Sequence, residues 1–84
     1  MNRLPSSMVK NPGSNFRKWR KLKEMKQEAV AKKAGITVAS LSLIENNKVD
    51  LSYSRICSLA LALEISEFQL LFIDPTSLAF EPNY

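Results

Sequence analysis

The sequence predicts an all-α domain of five short helices. Three observations point that way. Apolar residues recur three and four apart through most of the chain, helix-start and helix-stop residues punctuate those stretches, and no run alternates apolar with polar residues as a half-buried strand does. Eighty-four residues make one domain with a modest core, which leans on tight helix packing or on a partner chain. At 45% hydrophobic and 24% charged, the composition is that of a soluble globular protein.

Residues 1–13 read as a loose N-terminal arm, because Pro5, Pro12 and Gly13 interrupt a polar stretch with no apolar face. The domain proper spans residues 14–73. Its first helix takes Ser14 or Asn15 as N-cap and runs to about Lys23, with Phe16, Trp19 and Leu22 on one stripe. A second helix covers Gln27 to Ala34. It turns Val30 and Ala34 inward and stops at Gly35, which takes a positive φ without strain. Thr37 caps a third helix from Val38 to about Asn46, anchored by Leu41 and Ile44. Ser52 caps a fourth, whose apolar face is Ile56, Leu59, Ala60 and Leu63. Ser66 and Gln69 have the spacing of a capping box and open a fifth helix, which Pro75 stops. Residues 74–84 form a tail without clear period.

Charge is divided along the chain. Residues 1–48 hold eleven Lys or Arg against three Glu, a net +8, and residues 49–84 hold Arg55 against five acids, a net −4. A basic half suits a polyanion, and an acidic half needs another use. The simpler alternative is a solvated lysine-rich helix.

Several function classes find no support. The chain has no histidine, one cysteine, no phosphate-cradling glycine loop and no paired carboxylates, so neither catalysis nor metal binding is expected. No cofactor or small-molecule ligand is expected either. Cys57, beside Ile56 and Leu59, reads as a small buried hydrophobe in a reducing compartment. With no signal-like segment and no membrane-length apolar run, the expected location is the cytoplasm. The basic amphipathic stretch from Phe16 to Lys26 also has a membrane-surface pattern, but its apolar stripe is narrow and suits the core side of a helix.

The informative spacing runs from Gln27 to Glu45. Ala31 is small where two helices cross, Gly35 makes the turn four residues later, and Leu41 and Ile44 anchor the next helix across the first. These are the requirements of a helix-turn-helix formed by the second and third helices.

On these residues the chain resembles the phage repressor/Cro (Xre-like) helix-turn-helix family. The resemblance is carried by Arg20, the run Met25-Lys26-Gln27-Glu28-Ala29-Val30-Ala31, Ala34-Gly35-Ile36-Thr37, Ser40-Leu41, Ile44-Glu45 and Leu59-Ala60-Leu61-Ala62-Leu63. It implies a lambda-repressor-like fold and a sequence-specific transcriptional regulator, a repressor or autoregulator, that binds double-stranded DNA as a homodimer on a palindromic operator. By the same resemblance Thr37, Val38, Ala39, Ser40 and Leu43 would face bases. Lys26, Gln27, Asn46, Asn47 and Lys48 would meet phosphates, and Arg20 with Glu45 would form an internal salt bridge.

The chain departs from the family pattern where bases are read. Val38, Ala39 and Leu43 are apolar, whereas members often carry Gln, Arg, Lys or Asn there. Two readings stay open: contact with thymine methyl groups, or a surface turned over to a protein partner. Lys26 also stands where the family prefers Ser or Thr as N-cap.

The fifth helix holds more apolar surface than one stripe requires. Phe68, Leu71, Phe72 and Ile73, with Phe80 from the tail, are the expected dimer interface. The alternative is that the tail folds back over its own core. Two rival functions use the same fold: an antitoxin or other protein-interaction module, and, within DNA binding, the controller of a restriction-modification system.

Overall fold

The computed structural model describes residues 8–78, and in them six helices form: α1 (Pro12–Leu22), α2 (Gln27–Ala34), α3 (Val38–Glu45), α4 (Tyr53–Leu63), α5 (Glu67–Phe72) and α6 (Pro75–Leu78). The architecture is all-α, as the sequence predicts, with one short helix more than expected. Phe80 and Tyr84 lie outside the described residues.

Two boundaries differ from expectation, for one physical reason. Pro12 opens α1 with Asn11 as its N-cap, and Pro75 opens α6 after Asp74. Proline has no N–H to lose in a first turn and its fixed φ suits that position, so here it starts helices. The stop expected at Pro75 comes earlier, at Phe72. Part of the stretch expected as the 1–13 arm is folded onto the domain. Its last residues join the domain, and the Val9 amide donates to the Leu71 carbonyl at 2.7 Å.

Four helices end in the same way. Glu24, Gly35, Asn47 and Glu64 each take a left-handed φ between 56° and 73°. The amide that follows each one reaches back to the last turn: Met25 to Arg20, Ile36 to Ala31, Lys48 to Leu43 and Ile65 to Ala60. These bonds satisfy the orphan carbonyls at the helix ends and turn the chain sharply enough to pack short helices together. The starts are equally defined. Thr37, Ser52 and Ser66 accept bonds from Ser40, Arg55 and Gln69 amides, and Gln69 returns a bond to Ser66 to complete the capping box.

The core sits where α1, α2, α3 and α4 converge, with α5 closing one end. Phe16, Val30, Leu41, Leu59 and Leu70 are fully buried. Ala31 is buried where α2 meets its neighbours, and its small side chain permits the close crossing. The fifth helix is held by polar contacts as well. Asn15 Nδ2 donates to the Leu70 and Ile73 carbonyls, both at 2.8 Å, and Trp19 Nε1 to the Ile73 carbonyl at 3.0 Å. Asn15 therefore satisfies the C-terminal end of α5, in place of the α1 N-cap the sequence suggested.

Candidate nucleic-acid interface

α2, the turn at Gly35 and α3 form a helix-turn-helix whose second helix presents one side outward. Leu41 and Ile44 are buried. Thr37, Val38, Ala39, Ser40 and Leu43 are exposed, with Val38 at 40% and Leu43 at 49% of their maximal accessibility. The alternation follows from the helical period: positions 38, 39, 42 and 43 fall opposite 41 and 44. The Thr37 hydroxyl accepts from the Ser40 amide at 3.0 Å and so caps the helix.

A buried ion pair sets the pose of α3. Arg20 grips Glu45 in a fork, Nε to Oε2 at 2.7 Å and Nη2 to Oε1 at 2.9 Å. Its third nitrogen donates to the Met25 carbonyl at 2.8 Å, tying the α1–α2 turn into the same cluster. Arg17 reaches the edge of the group, 4.0 Å from Glu45 Oε1. With one residue from each of α1, the following turn and α3 committed, the planar fork leaves little freedom in their relative orientation.

The first turn of α2 lies beside this cluster. Lys26 is the N-cap residue and makes no side-chain cap bond, so the amides of that turn keep their attraction for an anion. Lys26, Gln27, Arg17, Ser42 and Asn46 border an open cavity of about 450 Å³. Arg17 did not emerge from the sequence as a site residue. Its position three before Arg20, one helical turn away, was the signal that could have found it.

Three residues expected at phosphates hydrogen-bond within the chain itself. Gln27 Nε2 donates to Glu45 Oε1 at 3.1 Å, which directs the side-chain amide at the ion pair. Asn47 is more fully committed: its Oδ1 accepts from the Ser14 amide at 3.2 Å, its Nδ2 donates to the Ser14 hydroxyl, and its own amide bonds to Ile44. Asn47 thus caps the start of α1, a role the sequence did not suggest. Asn46 donates to the Ser42 carbonyl at 2.8 Å, and Lys48 is exposed.

The residues expected to meet a second copy divide. Phe68 is exposed and stacks on half-buried Phe72, ring centroids 5.1 Å apart. Leu71 and Ile73 instead pack against the core of their own chain and keep only part of their surface. The most exposed large apolar side chains lie on α4: Tyr53 at 69% and Leu61 at 78%. Sequence reading passed over them because it followed only the inward stripe of α4, although Tyr53, Cys57 and Leu61 recur four apart. Cys57 is half-buried rather than enclosed. The Tyr53 phenol titrates above its ordinary value, chiefly because the Cys57 thiol lies beside it and then because Glu67 is nearby. Glu67 belongs to α5, which packs against α4.

Away from α3, Lys18 pairs with Asp74 at 2.9 Å. The Thr76 amide and hydroxyl donate to Asp74 at the start of α6. These hydrogen bonds, from Thr76 first and Lys18 next, pull the Asp74 carboxyl down to about 2.

Comparison with known proteins agrees with this geometry. A helix-turn-helix family model matches residues 16–70. No curated protein is similar enough in sequence to count as a relative. Among solved structures, the restriction-modification controller protein C.AhdI from Aeromonas hydrophila superposes with a TM-score of 0.68 and 28% identity, covering 71% of this chain and 91% of its own. The P22 c2 repressor, solved in complex with a synthetic operator, gives 0.67 and 26% identity over 79% of this chain and 100% of its own. The clp gene regulator ClgR from C. glutamicum shares the fold, with a TM-score of 0.74 and 22% identity over 84% of this chain and 92% of its own. The chain belongs to the helix-turn-helix family of DNA-binding transcription regulators that includes the phage repressors.

Proposed function

We propose that the protein is a sequence-specific regulator of transcription that binds double-stranded DNA as a homodimer on a palindromic operator. The observation that carries this reading is the outward side of α3, exposed at Thr37, Val38, Ala39, Ser40 and Leu43 and fixed in place by the buried Arg20–Glu45 fork. The base-facing set is Thr37, Val38, Ala39, Ser40 and Leu43. Lys26, Lys48, Asn46, Arg17 and the first-turn amides of α2 contact the sugar-phosphate backbone, and Gln27 contributes once a phosphate competes with Glu45 for its amide. The P22 c2 repressor, bound to its operator, matches most of this chain, which supports the same mode of docking.

Dimerisation follows from the apolar surface of α4 and α5. Tyr53 and Leu61 on α4 and Phe68 on α5 are exposed, and Phe68 stacks on half-buried Phe72; helices α4 and α5 pack against each other, so these side chains supply apolar area for a second copy. Two copies related by a two-fold axis present two α3 helices about one turn of DNA apart, roughly 34 Å. The finer role of restriction-modification controller is favoured by C.AhdI, which covers 91% of its own length on this chain. The rival role, an antitoxin or other interaction module, draws on the apolar character of Val38 and Leu43.

Selection of bound duplexes from a random pool tests the proposal. Enrichment of an inverted repeat is the expected result. No enrichment, together with capture of a partner protein through Val38 and Leu43, would establish the rival.

A further inference from the structure

We propose that Arg55 and Asp50, beside the outward side of α3, read a G·C pair in the major groove, the guanidinium donating to guanine and the carboxylate accepting from the cytosine amino group. This inference rests on the DNA-binding reading above and names a base pair that the same site takes.

α3 itself brings nothing that pairs with a base in two-pronged fashion. Between Val38 and Glu45 it has no Arg, Lys, Asn or Gln, and its one ionisable residue, Glu45, is buried and held by Arg20. Charge reaches its outward side from the next element. Ser40 and Leu43 share the walls of a cavity of about 270 Å³ with Asp50, Ser52 and Arg55. Arg55 stands in the first turn of α4, where its amide donates to the Ser52 hydroxyl at 3.2 Å, so the helix start fixes where its side chain begins. Asp50 lies in the loop two residues before that cap.

Both charges lack a partner. Arg55 is half-buried and Asp50 exposed, and among the described residues neither forms an ion pair, with the other or elsewhere. A partly desolvated guanidinium gains from any group that completes its hydrogen bonds. The combination decides which group fits. A phosphate offers acceptors alone, and the Asp50 carboxylate in the same wall repels it. The major-groove edge of a G·C pair offers both kinds of group. Guanine O6 and N7 accept from a two-pronged guanidinium, and the cytosine amino group donates to a carboxylate. An A·T pair fails the match, because adenine presents an amino donor to the guanidinium where guanine presents O6.

The test starts from the inverted repeat that the wild-type protein enriches from a random pool. Each half-site should hold one G·C pair at a fixed position. Selection repeated with Arg55→Ala should lose the preference at that pair and keep it elsewhere, and Asp50→Ala should relax the same pair. Variants are compared with their melting transitions retained. A second measurement needs no variant: 7-deazaguanine at that position exchanges N7 for carbon and leaves base pairing intact. The wild-type protein should bind this duplex roughly three- to tenfold more weakly, the loss of one prong of a two-pronged contact. Arg55→Ala should bind the two duplexes alike. Equal binding of both duplexes by the wild type would overturn the inference and leave DNA binding standing. So would a loss in Arg55→Ala that is uniform over all sequences and lowers the salt dependence by about one phosphate, which assigns Arg55 to the backbone. Absence of any enriched duplex would overturn both.

Discussion

Gly13 lies so close to the carbonyl of Ile44 that a β-carbon there would overlap it. The start of α1 thus crosses the last turn of α3 backbone against backbone, and Asn47 secures the crossing through Ser14. Alanine is the better helix former by roughly 1 kcal/mol. At position 13 overpacking should outweigh that, lowering stability by about 1–3 kcal/mol. Urea unfolding of Gly13→Ala should show an earlier midpoint. An unchanged or later midpoint would mean that the crossing is loose.

The Arg20–Glu45 fork yields a prediction with an internal control. Arg20→Ala leaves a buried carboxylate without its partner, so it should cost about 3–5 kcal/mol, and Glu45→Ala should cost a similar amount. The paired change Arg20→Met/Glu45→Leu removes both charges and should be less destabilising than either single change. Thermal melts of the three variants check this. A paired variant as unstable as the sum of the singles would show that the fork acts through two independent contacts.

The Asp74 carboxyl titrates near 2, below its ordinary value of 3.8, because it binds Thr76 and Lys18. A depressed folded value means that the charged form favours the native state. The contribution is complete above about pH 4 and fades as pH falls toward about 2. Asp74→Asn should therefore be less stable than wild type at pH 7, and the gap should close in that acid window. The effect should be modest, since the group is partly exposed and solvent screens it. A gap independent of pH would assign the loss to capping geometry instead of charge.

Leu61→Lys and Tyr53→Lys probe the proposed homodimer. Both side chains are more than two-thirds exposed, so the subunit should fold normally. Placing a charge where an apolar group is covered should weaken self-association by roughly ten- to a hundredfold. Sedimentation equilibrium reads the change, and cooperative binding to an inverted repeat should fall with it. Unaltered association would move the interface elsewhere.

The sequence was legible wherever the signal was local. The bounds of α2, the Thr37, Ser52 and Ser66 caps and the inward pairing of Leu41 with Ile44 all follow from residues within one or two turns. Two helix starts were misplaced because Asn11-Pro12 and Asp74-Pro75 were read as interruptions. An Asn or Asp followed by Pro is itself a start signal, so this information was present. Glu24 and Glu64 are harder. They take left-handed conformations that favour glycine, and nothing in a glutamate announces that. The need for glycine at position 13 and the commitment of Asn47 to Ser14 are tertiary facts that no local pattern contains. The outward face of α3 was legible from period alone. The α4 half of the apolar surface was missed because a helix with a good inward stripe still has another side.

Chemical-shift mapping tests most directly whether the outward side of α3 meets DNA. Isotope-labelled protein would be titrated with the enriched duplex and its amide signals followed. The largest perturbations should fall on residues 37–43 and on the first turn of α2, with Tyr53, Leu61 and Phe68 little changed. Perturbations centred on α4 and α5, with α3 unmoved, would contradict the account.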